Sequence, residues 1–349
     1  MELNEIKLNP LLDTLRIEKI SDEIYFSKKY SNYVSNSRLG LINPRQGGSP
    51  DQFFKGFSSG FNQSFLIGST VHSIILQPES FELSEDLGKP SAKLGVMADE
   101  LYPKYLNHPI TKEDIIEASN KVDYYKGKVT KEIVSKVLES CSNYWKERSK
   151  KELDITKDKE VIYLDSKSLE ISKSCIQALN GNKYIQELLH PTGFVTDPIS
   201  GNEQTILLDI EAKCPNGKSF ILHLKAKLDN YTIDLDSNTI IVNDIKTIGK
   251  VVSEIDNNIK SYHYSREIAV YLFLLRLCAE KFYNISNPKI QANYLVVSTI
   301  PNYYSKVRAV SYQEIKEGFY EFKKLLKYVA YQIGYHNYSL DERPSKYQL

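Results

Sequence analysis

Residues 224–249 read LKAKLDNYTIDLDSNTIIVNDIKTIG, and this run decides the fold. Two apolar, β-branched stretches are broken by a polar turn, which predicts adjoining strands at about 219–234 and 239–246. Successive strand residues point to opposite faces, so Asp244 and Lys246 share a face while Ile245 points away. A turn centred between Asp236 and Ser237 sets Asp229 directly opposite Asp244. Like charges directly opposite each other destabilise a ladder, and a cation between them removes the conflict. Two carboxylates beside an ammonium group are the parts needed to hold a divalent metal and a reacting water.

The preceding strand, at about 204–213, is joined through Cys214-Pro-Asn-Gly-Lys218. A three-residue loop centred on Asn216, with Gly217 taking the positive φ, places Glu203 opposite Asp229 as a third carboxylate. A slip of one residue would turn Glu203 to the other face. Charges at the end of a buried strand are costly to desolvate unless paired or metal-bound. The competing reading is therefore a structural ion pair between Lys246 and one aspartate; the functional one is metal-dependent phosphodiester hydrolysis.

Composition sets outer limits. The 349 residues are enough for one elaborate domain or two small ones. With 45 Lys+Arg against 44 Asp+Glu, net charge announces no nucleic-acid partner. A basic groove can nevertheless coexist with an acidic metal site. Cys141, Cys175, Cys214 and Cys278 are scattered without CxxC or Cys/His finger spacing, which gives little support to zinc or an iron–sulfur cluster. They read as free thiols of a reducing compartment. The N-terminus has no signal-peptide pattern, and the longest apolar run, near 268–277, is broken by Arg276 and too short for a bilayer. The expectation is a soluble, cytoplasmic protein with no membrane partner.

Along the chain, residues 1–42 read as short helices and connectors, and 43–63 as a Gly/Ser/Pro/Phe-rich loop. SFLIGSTVHSIILQPE reads as a buried helix ended by Pro78. Helix-like segments fill about 90–150, and Val161–Leu164 reads as a short strand before a helix capped by Asp165 or Ser166. After the meander, residues 261–283 read as one long helix, followed by two strands (QANYLVVST and KVRAVSY). A final amphipathic helix carries Ile315, Phe319, Phe322, Leu325, Leu326 and Val329 at helical spacing. This order predicts an α/β fold with a mixed central sheet flanked by helices and an N-terminal helical elaboration. The expected divisions are 1–63 (helices and loop), 64–335 (main domain with the helical insertion) and 336–349 (tail).

Two further groups bear on chemistry. His72 follows Gly68 and Ser69, small residues that allow another segment to approach, and it reads as a core histidine or a metal ligand. On the long helix, Glu267 and Tyr271 lie four apart on one face, with Tyr264 and Arg266 nearby. They read as a packed or solvated surface, or as a polar stripe over the metal site touching a phosphate.

Taken together, GSTVH ending at His72, Glu203, KLD ending at Asp229, DIKT at 244–247, Tyr264 and EIAVY at 267–271 resemble the PD-(D/E)XK nuclease superfamily. The nearer likeness is to its RecB-type and RecE-like (exodeoxyribonuclease VIII) branch, common in bacteriophages, and it covers about residues 30–275. It implies a restriction-endonuclease-like core and the 64–335 region as a nuclease domain. Mg²⁺, or Mn²⁺, would be held by His72, Asp229, Asp244 and the carbonyl of Ile245. Lys246 would orient the attacking water, with Glu203 as the upstream acid and Tyr271 as the tyrosine of the helix motif. That motif usually begins with Gln where this chain has Glu267. The stretch at Ser35-Asn-Ser37-Arg38 resembles the opening segment of the branch, where Arg38 would meet a DNA end; Ser35 and Ser37 read rather as helix caps, and Arg38 reads equally either way. Tyr264, Arg266 and Glu267 would contact phosphate or DNA. The implied activity is a metal-dependent deoxyribonuclease, a 5′→3′ exonuclease resecting duplex ends for phage recombination. An annealing protein and a homo-oligomeric ring are implied partners. A catalytically silent DNA-binding relative and a structure-specific endonuclease are the alternatives.

Overall fold

The computed structural model of the protein describes residues 3–56, 63–86, 88–125, 128–154, 159–336 and 338–340. Part of the loop expected at 43–63 and most of the tail expected at 336–349 lie outside them. The chain forms two compact units, Met1–Gln77 with Ile171–Leu349, and Pro78–Glu170.

In chain order the elements are β1 (Lys7–Glu18), α1 (Asp22–Tyr25), α2 (Asn36–Gly40), α3 (Pro50–Lys55), α4 (Gln63–Leu76) and β2 (Phe81–Glu85). Then come α5 (Ala92–Tyr105), α6 (Lys112–Val122), α7 (Lys131–Asp154), β3 (Glu160–Leu164), α8 (Ser166–Asn180) and α9 (Lys183–Leu189). The meander is β4 (Ile199–Lys213), β5 (Ser219–Asp234) and β6 (Thr239–Ile248), followed by α10 (Ile255–Tyr262), α11 (Tyr264–Tyr283), β7 (Lys289–Ser298), β8 (Ser305–Ala309) and α12 (Tyr312–His336).

Six strands make one mixed sheet in the order β1-β4-β5-β6-β7-β8. Only β6 and β7 run parallel, with α10 and α11 as the crossover that a parallel pair requires. The opening segment, expected as short helices and connectors, holds the short helices α1 and α2, but before them runs β1, a 12-residue edge strand. Its period is hidden: Leu15 is its one buried residue, the register shifts between Leu11 and Arg16, and Pro10 is tolerated only because the strand lies at an edge.

The alternation in β7 shows how the two faces are covered. Tyr294 and Val296 face α11 and α12, packing with Leu272, Leu275, Leu325 and Val329. Leu295 and Val297 face α4, α8 and α9, packing with Ile67, Val71, Leu179 and Ile185. Each such side chain, once fully buried, contributes about 1.5–3 kcal/mol. α12 lies close against the start of α11: a Cβ on Gly318 would sit 2.0 Å from the Ser265 carbonyl oxygen. The helix expected over 261–283 is broken at His263, which is left-handed (φ 55°) and closes α10 by donating its N–H to Ile259.

A row of asparagines crosses the middle of the sheet. Asn230 Nδ2 donates to Asn202 Oδ1 (2.8 Å), Asn243 Nδ2 to Asn230 Oδ1 (2.8 Å), and Asn293 Nδ2 to Asn243 Oδ1 (2.9 Å). Asn243 Nδ2 also donates to the Leu188 carbonyl (3.0 Å) at the end of α9, where helical carbonyls lack partners. Slipping one strand would orphan several of these amides, so the row holds the register that positions the site.

In the second unit, β2 and β3 pair in parallel. α5, α6 and α7 surround a core of Met97, Leu101, Ile115 and Trp145, whose indole N–H donates to the Ala98 carbonyl.

Candidate metal centre

The site lies where two strands part. The β5–β6 ladder runs from Asp234↔Thr239 to Asn230↔Asn243, the register of a turn between Asp236 and Ser237. There it stops. β5 continues beside β4 and β6 beside β7, so Asp229 and Asp244 flank a fork instead of forming a ladder pair. The Asp229 carboxylate accepts the Ile245 N–H at 2.8 Å, a group that β5 backbone no longer serves.

The β4–β5 hairpin closes at Cys214 and Lys218 with Gly217 at φ 85°, and its pairs Asn202↔Asn230 and Gln204↔Leu228 bracket Glu203 and Asp229. Glu203 itself is left-handed (φ 52°), a strain of roughly 1–2 kcal/mol for a residue with a Cβ. α4 supplies the imidazole. A Cβ at Gly68 would lie 3.0 Å from Thr247 Oγ1, so glycine permits the close approach of helix to β6. One turn later His72 Nδ1 stands 3.3 Å from Asp229 Oδ2. His72, Glu203 and Asp229 each offer a ligand atom within 4.8 Å of the others.

Lys246 is the centre of the other lip. Its Nζ is 2.7 Å from Asp244 Oδ2 and 2.9 Å from Glu267 Oε2, and lies 4.7 Å from the centre of the Tyr264 ring. The Tyr271 hydroxyl donates to Glu267 Oε1 at 3.1 Å. Tyr264, Glu267 and Tyr271 thus present one face of α11 to the fork.

Burial and charge oppose each other here. Burial pushes the Asp244 carboxyl well above its usual range; Lys246 counteracts this, while Glu267 and Asp229 add to it. Burial works to discharge Lys246, but Asp244 and Glu267 outweigh it and hold the ammonium charged. Burial likewise raises Glu203, with the Asp229 charge adding to it. Burial would raise Asp229 too, yet His72 and Lys246 bring it below its ordinary value. For His72, burial favours the neutral ring, but Asp229 prevails and lifts the pKa to about 9.

Other residues named from sequence lie elsewhere or do other work. Arg38 is buried; its guanidinium donates to the carbonyls of Ser31 (2.7 Å) and Tyr33 (3.1 Å) and lies over the Phe53 ring. Ser35 caps the helix bearing it. Arg266 is buried and donates to Asn36 (2.7 Å), Gln46 (3.0 Å) and Glu321 (3.3 Å). Ile245 packs its side chain against the α4 face.

Two site neighbours were missed. Lys227 bridges Glu203 (2.9 Å) and Asp22 (2.6 Å), and its place two residues before Asp229 was visible in the KLD run. Tyr25 is buried, and its phenol is pushed up by that burial and by Asp22, Glu267 and Glu203. Nothing in the sequence joins residue 25 to this site.

The donors suit a hard divalent cation: carboxylate oxygens with one imidazole, a set that takes Mg²⁺ and tolerates Mn²⁺. Asp244 sharpens the fit. It is 1% exposed; Oδ2 is held by the Lys246 ammonium at 2.7 Å, and Oδ1 accepts no hydrogen bond among the described residues. A buried carboxylate with one unserved oxygen is costly, and a cation relieves it.

No protein-family model matches the chain, and no curated protein matches it. Among solved structures it is similar to a protein from Eubacterium rectale, provisionally named an exonuclease. Identity is 11% and the TM-score 0.45, over 90% of this chain and 86% of that one. At that level the likeness decides neither fold nor function, and the site itself carries the argument. Among the described residues, no helix is long and apolar enough to cross a membrane.

Proposed function

We propose that the chain is a divalent-metal-dependent nuclease that hydrolyses DNA phosphodiester bonds, acting as a 5′→3′ exonuclease on duplex ends during recombination. One observation carries the reading: an imidazole and two carboxylates converge at a strand fork beside an ammonium group and a further buried carboxylate. His72, Glu203 and Asp229 would hold the cation, with Asp244 and the Ile245 carbonyl as remaining donors. When bound, the cation lowers the pKa of water and neutralises phosphate charge.

The chain's own groups do the rest. Lys246 stays charged, so it acts as a donor to water or to a phosphate oxygen and not as a base. His72 surrenders its proton when it becomes a ligand. Asp229 keeps the fork open by holding the Ile245 N–H. Polarity, the recombination setting, an annealing partner and a ring-shaped oligomer belong to the proposal through the resemblance alone. A second reading, a DNA-binding relative without turnover, is favoured by one contact: Glu267 occupies the same ammonium that the chemistry needs.

End-labelled linear and closed circular duplex DNA, incubated with Mg²⁺ and with EDTA, test the proposal. Metal-dependent loss of linear DNA alone supports an exonuclease, and nicked circles support a structure-specific endonuclease. Wild-type protein no more active than Asp244→Asn on either substrate overturns the hydrolase reading.

A further inference from the structure

Beside the fork, an aromatic stack leads from the Lys246 ammonium to solvent. Lys246 Nζ lies over the Tyr264 ring. On Tyr264 stacks Tyr262, with centroids 5.7 Å apart and planes inclined by 24°. Between them lies the left-handed His263, which ends α10 at Tyr262 and starts α11 at Tyr264. His263 is fastened in turn by Glu321, 2.7 Å from its Nδ1. Tyr264 also abuts the buried Tyr294 ring, so the inner end of the stack is fixed. Tyr262 is 58% exposed. A ring pinned from within, adjoining a phosphate-seeking charge, is a platform for a flat, π-bearing group.

We propose that Tyr262 is a stacking subsite for a nucleobase of the polynucleotide whose phosphate reaches Lys246. This deepens the nuclease reading and rests on it for the position of the phosphate. The subsite takes any base, since every base has a π-face, and it reads no sequence. It favours nucleotides that are unpaired at the chain end, because a paired base is already stacked on its neighbours.

The test uses the full-length chain carrying Asp244→Asn to stop turnover. Binding of a 5′-phosphorylated DNA oligonucleotide is followed by anisotropy in Mg²⁺. Tyr262→Ala should weaken binding by about five- to a hundredfold, and Tyr262→Trp should restore it. 2-Aminopurine at the responsible position should be quenched by Tyr or Trp at 262 and stay bright with Ala. An abasic nucleotide walked along the oligonucleotide should cost affinity at one position in the Tyr262 protein and cost nothing further there in Tyr262→Ala. Equal binding by Tyr262→Ala, or Trp binding as poorly as Ala, or abasic losses independent of residue 262, would overturn the subsite. Cleavage by the otherwise wild-type chain is scored separately. A chain that stacks the base but cleaves nothing keeps the subsite and loses the nuclease reading.

Discussion

Replacing His72 with Gln should remove a pH-dependent part of the stability of the metal-free protein. Burial favours a neutral ring at this position, but the Asp229 carboxylate 3.3 Å away prevails, and the pKa rises from 6.5 to about 9. A raised folded-state pKa means that protonation favours the folded form. The contribution is fully present below pH 6.5, shrinks as pH rises and is lost above about 9. At about 1.4 kcal/mol per pKa unit it amounts to about 3 kcal/mol. Urea unfolding of wild type and His72→Gln, stepped from about pH 5.5 to 9.5 in EDTA, reads it directly. The stability gap should be widest at the acid end and close by about 3 kcal/mol across the series. Any packing change introduced by Gln adds an offset that does not vary with pH. A gap that stays constant, or that widens with pH, refutes the argument. Adding Mg²⁺ or Mn²⁺ to wild type should give a stabilisation that grows with pH, because the ring must lose its proton to become a ligand.

Lys246→Met leaves Asp244 and Glu267 facing each other without their shared ammonium and should cost about 3–5 kcal/mol in urea unfolding. Adding Asp244→Asn should recover much of that stability while cleavage stays absent. Glu267→Gln keeps an acceptor for the Tyr271 hydroxyl but frees Lys246 from one carboxylate; initial rates on linear DNA should rise, and loss of cleavage would mark Glu267 as necessary to turnover. Asn243→Leu orphans Asn230, Asn293 and the Leu188 carbonyl at once, and a loss of about 3 kcal/mol or more is expected from thermal or urea unfolding.

The meander was legible because its turns are local. Asp234–Asn238 and Asn216-Gly217 determine two registers, and those registers bring Glu203, Asp229 and Asp244 to one region. The divergence of the strands was not legible, since nothing in a period-two pattern says where a ladder ends. His72 met Asp229 only through tertiary packing; residue physics marked Gly68 as a point of close approach without saying what approaches. The asparagine row was invisible for the opposite reason: asparagine is a poor strand former, and its value appears only when neighbouring strands present the same amide. Arg38 and Arg266 show the same limit. An arginine suited to phosphate is equally suited to carbonyls and carboxylates of its own chain, which is where both are engaged.

The hydrogen bond from Ile245 to Asp229 has a practical consequence for mutagenesis. Asp229 does for the main chain what a missing strand would do, so Asp229→Ala strips out a ligand and, in the same stroke, leaves a buried amide with nothing to hold. An inactive Asp229→Ala protein could therefore be a chemical knock-out or a collapsed scaffold. Among the described residues Asp244 accepts from no main-chain amide; its partner is the Lys246 ammonium, so Asp244→Asn removes a charge without orphaning a backbone group.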